Sequence, residues 1–143
     1  FSDIKEVELN SVLKQYLDDY KEVYAYRNIT LTMDEKGSFR VEMNESLATV
    51  LITNLLKNAY VHNIENGHIH ILLTTNRIIF RNSSEQTALD ENRIFERFYQ
   101  GCKKEGSTGL GLAIAHSICK QYGLLLSYTY QNKEHCFCIE KSK

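Results

Sequence analysis

Apolar residues Leu13, Leu17, Tyr20, Val23 and Tyr24 recur at helical spacing behind Asn10, which is placed to cap a first helix. A short opening segment, Ile4 to Leu9, precedes it. Ile29 to Met33 and Ser38 to Glu42 then alternate apolar with polar residues across Asp34-Glu35-Lys36-Gly37, the pattern of a hairpin. Asn44 caps a second helix through Leu47, Leu51, Leu55 and Ala59, which Asn66-Gly67 ends. His68 to Thr75 and Arg77 to Asn82 form two strands joined at Asn76. A third helix runs from Leu110 to Tyr122 and closes at Gly123, and Leu124 to Tyr130 with His135 to Glu140 make a last hairpin.

Strands in pairs separated by helices predict an α+β two-layer sandwich, with a mixed, mostly antiparallel sheet covered on one face by three helices. A doubly wound sheet would alternate single strands with helices. Between Ser83 and Thr108 the pattern is polar and irregular, apart from a short helical stretch with Ile94, Phe95 and Phe98. A segment of that length in a compact domain is more often a lid or binding loop than filler. The expectation is one domain over residues 1–143 with a lid at about 83–108.

Composition narrows the function. With 143 residues, 43% hydrophobic and 24% charged, the chain is long enough for one core without staples. Its net charge of −1 gives no basic face for nucleic acid or a membrane surface, so a phosphate ligand needs a local pocket. Cys102, Cys119, Cys136 and Cys138 lack paired spacing, and Cys136-Phe137-Cys138-Ile139 alternates as a strand does. They read as reduced thiols of a cytoplasmic protein. No apolar run approaches the roughly 20 residues that span a bilayer. The chain starts at Phe1 and contains no proline, as expected for a piece of a longer protein freed of its linkers.

Gly106-Ser107-Thr108-Gly109-Leu110-Gly111-Leu112 leads into the apolar third helix, where unbonded N–H groups and the positive end of the helix dipole meet. Such a place binds anions. The other reading of Gly109 and Gly111 is close packing of the helix on a neighbour. Ser107 stands where a P-loop requires Lys, and the third glycine of a dinucleotide-binding turn is replaced by Ile114.

On the second helix, Thr49, Thr53, Lys57 and Tyr60 share a polar side assigned to solvent. Asn54 and Asn58 instead continue the line of Leu47 and Leu51, toward the core or a cavity. A neutral amide can offer its oxygen to Mg²⁺ and its N–H to phosphate, or it can join a structural hydrogen-bond network. His62, one turn beyond, is open to the same two readings.

Asn54-Leu55-Leu56-Lys57-Asn58-Ala59, Ile94-Phe95-Glu96-Arg97-Phe98-Tyr99 and Thr108-Gly109-Leu110-Gly111-Leu112-Ala113-Ile114, in that order, resemble the N box, F box and second glycine box of histidine kinase catalytic domains in the GHKL ATPase superfamily. The resemblance covers nearly the whole chain and implies about five strands, with ATP between the N-box helix, the lid and the glycine segment. It implies that Asn58 coordinates Mg²⁺, that Asn54 lies beside it as its catalytic companion, and that His62 sits in the ribose and phosphate region. Thr108, Gly109, Leu110, Gly111 and Leu112 would surround the phosphates, and Phe95 and Phe98 would anchor the lid.

The chain departs from the family's pattern at several positions. Asn82-Ser83-Ser84 stands where an Asp-x-Gly box is usual, so the acceptor for the adenine amino group would be the Asn82 side-chain oxygen. Val61 and Gln100 replace a common Lys and Arg, Ser107 replaces a glycine, and Lys103 and Lys104 are nearby cations. Hydrolytic relatives carry a Glu where Asn54 stands, so the resemblance implies weak hydrolysis and transfer of the ATP γ-phosphoryl group to a histidine. None of His62, His68, His70, His116 and His135 lies in a phosphoacceptor-like segment, so the partner would be a separate dimerisation and phosphoacceptor domain, with a response regulator downstream. A degenerate module acting through protein contacts, and an anti-sigma-type protein-serine kinase, are the alternatives.

Overall fold

The computed structural model describes residues 3–84, 88–90, 92–97, 99 and 110–142. Strands β1 (Lys5–Glu8), β2 (Thr30–Glu35), β3 (Arg40–Met43), β4 (His68–Leu73), β5 (Arg77–Ser83), β6 (Leu124–Gln131) and β7 (Glu134–Lys141) accompany helices α1 (Leu9–Val23), α2 (Glu45–Val61) and α3 (Gly111–Gln121). Five strands form one sheet in the order β2-β4-β5-β7-β6, with β2 parallel to β4 and every other pair antiparallel. The α+β sandwich is as expected. Ile69, Ile71, Leu73, Ile78, Phe80, Phe137, Ile139 and Leu126 face the helices, and each is at most 3% exposed. Cys136 and Cys138 alternate with them as half-buried free thiols, while burial pushes the Cys119 thiol up to about 12.

The expected hairpin of residues 29–42 does not form. β2 pairs with β4, and β3 pairs with β1 in a separate two-stranded ribbon. Asn10 is the physical reason. It is fully buried inside α1, one residue past the helix start, rather than capping it. Its amide donates to Glu35 Oε2 at 2.7 Å and to the Gly37 carbonyl at 2.8 Å, and its oxygen accepts from the Phe39 N–H at 2.9 Å. Those bonds turn the chain away from β2. Gly37 lets the bend seat on the β4–β5 turn, since a Cβ there would lie 2.9 Å from the Thr75 nitrogen.

α2 is the central helix. Asn44 caps it as expected, accepting from the Leu47 N–H at 3.0 Å. The polar side assigned to solvent is corrected at Tyr60, which is 1% exposed, with Tyr24, the residue after α1, stacked on its ring at 4.9 Å. At its other end α2 stops where Arg27, from the 3-10 turn Ala25–Arg27, donates to the carbonyls of Tyr60, Val61 and Asn63. α3 begins one residue later than expected, and Gly123 closes it at φ +69. Residues 92–97 form turns rather than the expected short helix, with separate bonds from Arg93 N to Asp90 O and from Glu96 N to Arg93 O. Among the described residues no helix is long and apolar enough to cross a membrane.

Replacing Asn10 would leave the buried Phe39 N–H and Gly37 carbonyl without partners. Asn10→Ala is expected to lower stability by roughly 2–4 kcal/mol in urea unfolding, with the transition midpoint as the readout.

Candidate functional site

Those sequence-predicted residues that are described lie on α2, at its C-cap, at the end of β5 beside the start of β7, and at the start of α3. Asn54 and Asn58 are half-buried on α2, not enclosed in the core. Asn54 returns its amide N–H to the Val50 carbonyl at 2.9 Å, and its oxygen faces the first residue of α3. A Cβ on Gly111 would stand 3.0 Å from Asn54 Oδ1. Glycine at that position therefore serves close approach, and the approach is to the asparagine itself. The close-packing reading holds at Gly111, and that packing brings the N-terminus of α3 to the polar line of α2. Leu110 is the cap residue, and Leu110, Gly111 and Leu112 are half-buried; Thr108 and Gly109 lie outside the described residues.

His62 ends α2 as its C-cap, with its N–H on the Asn58 carbonyl at 3.1 Å. Its own carbonyl accepts from Asn82 Nδ2 at 3.1 Å. Asn82 is 1% exposed and also donates Nδ2 to the Ser83 carbonyl at 3.1 Å. Its Oδ1 has no hydrogen-bond partner among the described residues. Native folds seldom leave a buried carbonyl oxygen alone, so such an atom calls for a donor that the described residues do not supply.

Behind Asn82 lies a polar junction that sequence reasoning missed. Asn63, fully buried, donates to the Ala59 carbonyl at 3.1 Å and the His68 carbonyl at 2.9 Å. Its oxygen accepts from Ser83 Oγ at 2.6 Å, and Ser83 Oγ accepts from the His68 N–H at 2.9 Å. Gly67 is packed against this pair, where a Cβ would lie 2.2 Å from Asn63 Oδ1 and 2.4 Å from Ser83 Oγ. The available signal was Asn63 directly after His62, four residues before a glycine; nothing local names Ser83 as its partner.

On the far side of the site, Asn82 stands opposite His135 in the β5–β7 register. His135 Nδ1 lies 2.8 Å from the Tyr128 hydroxyl, which also accepts the Leu89 N–H at 3.0 Å. Phe95 stacks on His116 of α3 at 4.7 Å and meets the Phe137 ring edge-on at 6.5 Å. Burial, with Lys120 adding to it, holds His116 below the usual histidine range, which suits a neutral ring in a stack. Phe95 thus contacts both α3 and β7, while Phe98, Gln100, Lys103, Lys104 and Ser107 lie outside the described residues. Val61 is buried at 8% exposure and contributes no charge to the site. The described residues hold no group of three or more His, Cys, Asp or Glu side chains able to bind a metal. The uncharged oxygens that α2 brings here are the side-chain amides of Asn54 and Asn58, which are able to serve a hard cation.

The Histidine kinase-, DNA gyrase B-, and HSP90-like ATPase family matches residues 43–141. The sensor histidine kinase RppB of Synechocystis is 30% identical over 143 residues, covering 92% of this chain and 32% of that protein. The heme sensor protein HssS of Staphylococcus aureus is 29% identical over 133 residues, covering 90% of this chain and 29% of that protein. The chain thus spans about a third of the length of the curated relatives it matches. Among solved structures, the catalytic domain of the histidine kinase ThkA superposes with a TM-score of 0.84 at 24% identity, covering 99% of this chain and 96% of that one. ThkA in complex with the response regulator protein TrrA gives 0.79 at 22% identity, covering 96% of this chain and 41% of that one. The chain belongs to the histidine kinase-, DNA gyrase B- and HSP90-like ATPase family, as a catalytic domain of the sensor histidine kinase type.

Proposed function

We propose that this domain binds Mg²⁺-ATP between α2, a lid at about 83–108 and the start of α3, and transfers the γ-phosphoryl group to a histidine on a separate dimerisation and phosphoacceptor domain. The observation that carries this reading is the seating of Gly111 on Asn54, which joins the dipole end of α3 to the amide line of α2. The residues present fit the ligand. Asn58, one turn beyond Asn54, offers an uncharged oxygen to Mg²⁺, and His62 follows it toward the ribose and phosphates. Thr108 to Leu112 surround the phosphates, and Asn82 accepts from the adenine amino group. Phe95, held between His116 and Phe137, anchors the lid.

Phosphoryl transfer asks this chain mainly for position and charge stabilisation. Asn54 cannot take a proton from water as a carboxylate would, so hydrolysis in the absence of an acceptor is slow. The recipient histidine and its dimerising helices belong to other parts of the full protein, on the cytoplasmic side. A response regulator receives the phosphoryl group downstream, a proposal consistent with the ThkA–TrrA complex. The buried Val61, with Asn82 and Ser84 in the first glycine box, motivates a second reading as an interaction module that binds no nucleotide.

Titration calorimetry separates the two. Saturable Mg²⁺-ATP binding is expected for the wild type, and no heat of binding at millimolar ATP would select the interaction module. Asn58→Ala is expected to weaken binding in the presence of Mg²⁺ by at least about tenfold, or about 1.4 kcal/mol, with little change when Mg²⁺ is chelated. Equal affinities in wild type and variant would remove Asn58 from the metal site. Gly111→Val would drive a branched side chain into Asn54 Oδ1, and it is expected to raise the ATP dissociation constant by a similar factor in the same experiment. Mixed with a phosphoacceptor domain of a sensor kinase and radiolabelled ATP, the domain is expected to label the acceptor histidine slowly and itself not at all.

A further inference from the structure

The two polar atoms of the Asn82 side chain have unlike surroundings. Nδ2 is held by the carbonyls of His62 and Ser83, both at 3.1 Å, whereas Oδ1 is buried without a partner among the described residues. Turning the amide over would set its oxygen against two carbonyl oxygens with no proton between them, and would leave the amino group unpaired. Only one orientation satisfies the surroundings. An aspartate offers an acceptor whichever way it turns, but an asparagine can tell an amino group from an oxo group only if its amide is held.

The holding groups are themselves fixed. The His62 carbonyl lies in the stretch whose neighbouring carbonyls, on Tyr60, Val61 and Asn63, are taken by Arg27. Ser83 is pinned through Oγ, which donates to Asn63 Oδ1 at 2.6 Å and accepts from the His68 N–H at 2.9 Å. Building on the ATP site proposed above, we infer that Asn82 is a locked acceptor that selects a 6-aminopurine over a 6-oxopurine, with Ser83 and Asn63 as positioning residues. The same lock makes the position unsuited to the aspartate that the family's motif carries. A carboxylate there has no proton to give to either carbonyl, and its second oxygen would be repelled by both.

Calorimetric titration of the whole domain with Mg²⁺-ATP and with Mg²⁺-inosine triphosphate, together with thermal melts, tests the lock. The wild type is expected to prefer ATP by at least about tenfold, because a 6-oxo group meets a fixed acceptor. Asn82→Ala is expected to bind the two nucleotides nearly equally. In Ser83→Ala the preference is expected to shrink several-fold, mainly because inosine triphosphate binds better to an amide free to turn. A merely structural role for Ser83 would weaken both nucleotides alike and leave the ratio unchanged, which would overturn its positioning role.

Asn82→Asp keeps the test independent of whether Ser83→Ala folds. Although it restores the family's residue, it is expected to bind ATP less tightly than the wild type at about pH 8. Part of that affinity is expected to return as the pH falls, when the protonated carboxyl gains an O–H that can donate to one of the carbonyls. Tighter ATP binding by Asn82→Asp with an unchanged melting temperature, or equal wild-type affinity for the two nucleotides, would overturn the lock and leave the ATP site standing. A wild type that binds no ATP would overturn both.

Discussion

Helix α2 ends inside the protein, and the carbonyls of its last turn must find donors that its own backbone cannot supply. Nearly every donor comes from a part of the chain that the site needs. Asn63 serves Ala59, Arg27 serves Tyr60, Val61 and Asn63, and Asn82 serves His62. The segment after α1, the start of β4 and the end of β5 are therefore drawn to one point by a single shortage of N–H groups. Asn28 and Asn66, both with positive φ, close the same junction through a side-chain bond of 2.8 Å.

The two ends of the proposed nucleotide site depend on that point differently. The phosphate end is set by helix packing, since the contact of Gly111 with Asn54 needs only that α3 lie close along α2. The base end is set by hydrogen bonds, because Asn82 is oriented by carbonyls and not by apolar contact. A change that loosens apolar packing should disturb the first before the second, and a change in the polar junction should do the reverse. The Phe95 stack on His116 gives α3 a further tie to the segment that precedes it.

Much of this was legible in the sequence because it is local. Periodicity gave all three helices, the β4–β5 pair, the last hairpin and the Asn44 cap, each of which rests on neighbours within a few residues. Non-local bonds decided the rest. Asn10 reads as a cap by its position before an apolar run, yet its partners lie 25 to 29 residues away, and they convert an apparent hairpin into two strands of different sheets. Tyr60 reads as solvent-facing on a helical wheel because the wheel does not show Tyr24, the residue after α1, stacked on its ring. The asparagine line at Asn54 and Asn58 was visible as amides on an apolar stripe, whereas the pairing of Asn63 with Ser83 spans 20 residues and leaves no periodic trace.

The identity of the group that closes α2 also bears on acidity. A histidine or lysine there would make the helix end, and the base pocket behind it, answer to the protonation of that group. Arg27 is a guanidinium, which stays charged at any pH a cell reaches, and a fixed positive charge complements the negative end of the helix dipole. The hold of Arg27 on the carbonyls of Tyr60, Val61 and Asn63 is thus independent of proton concentration, whatever the histidines nearby do.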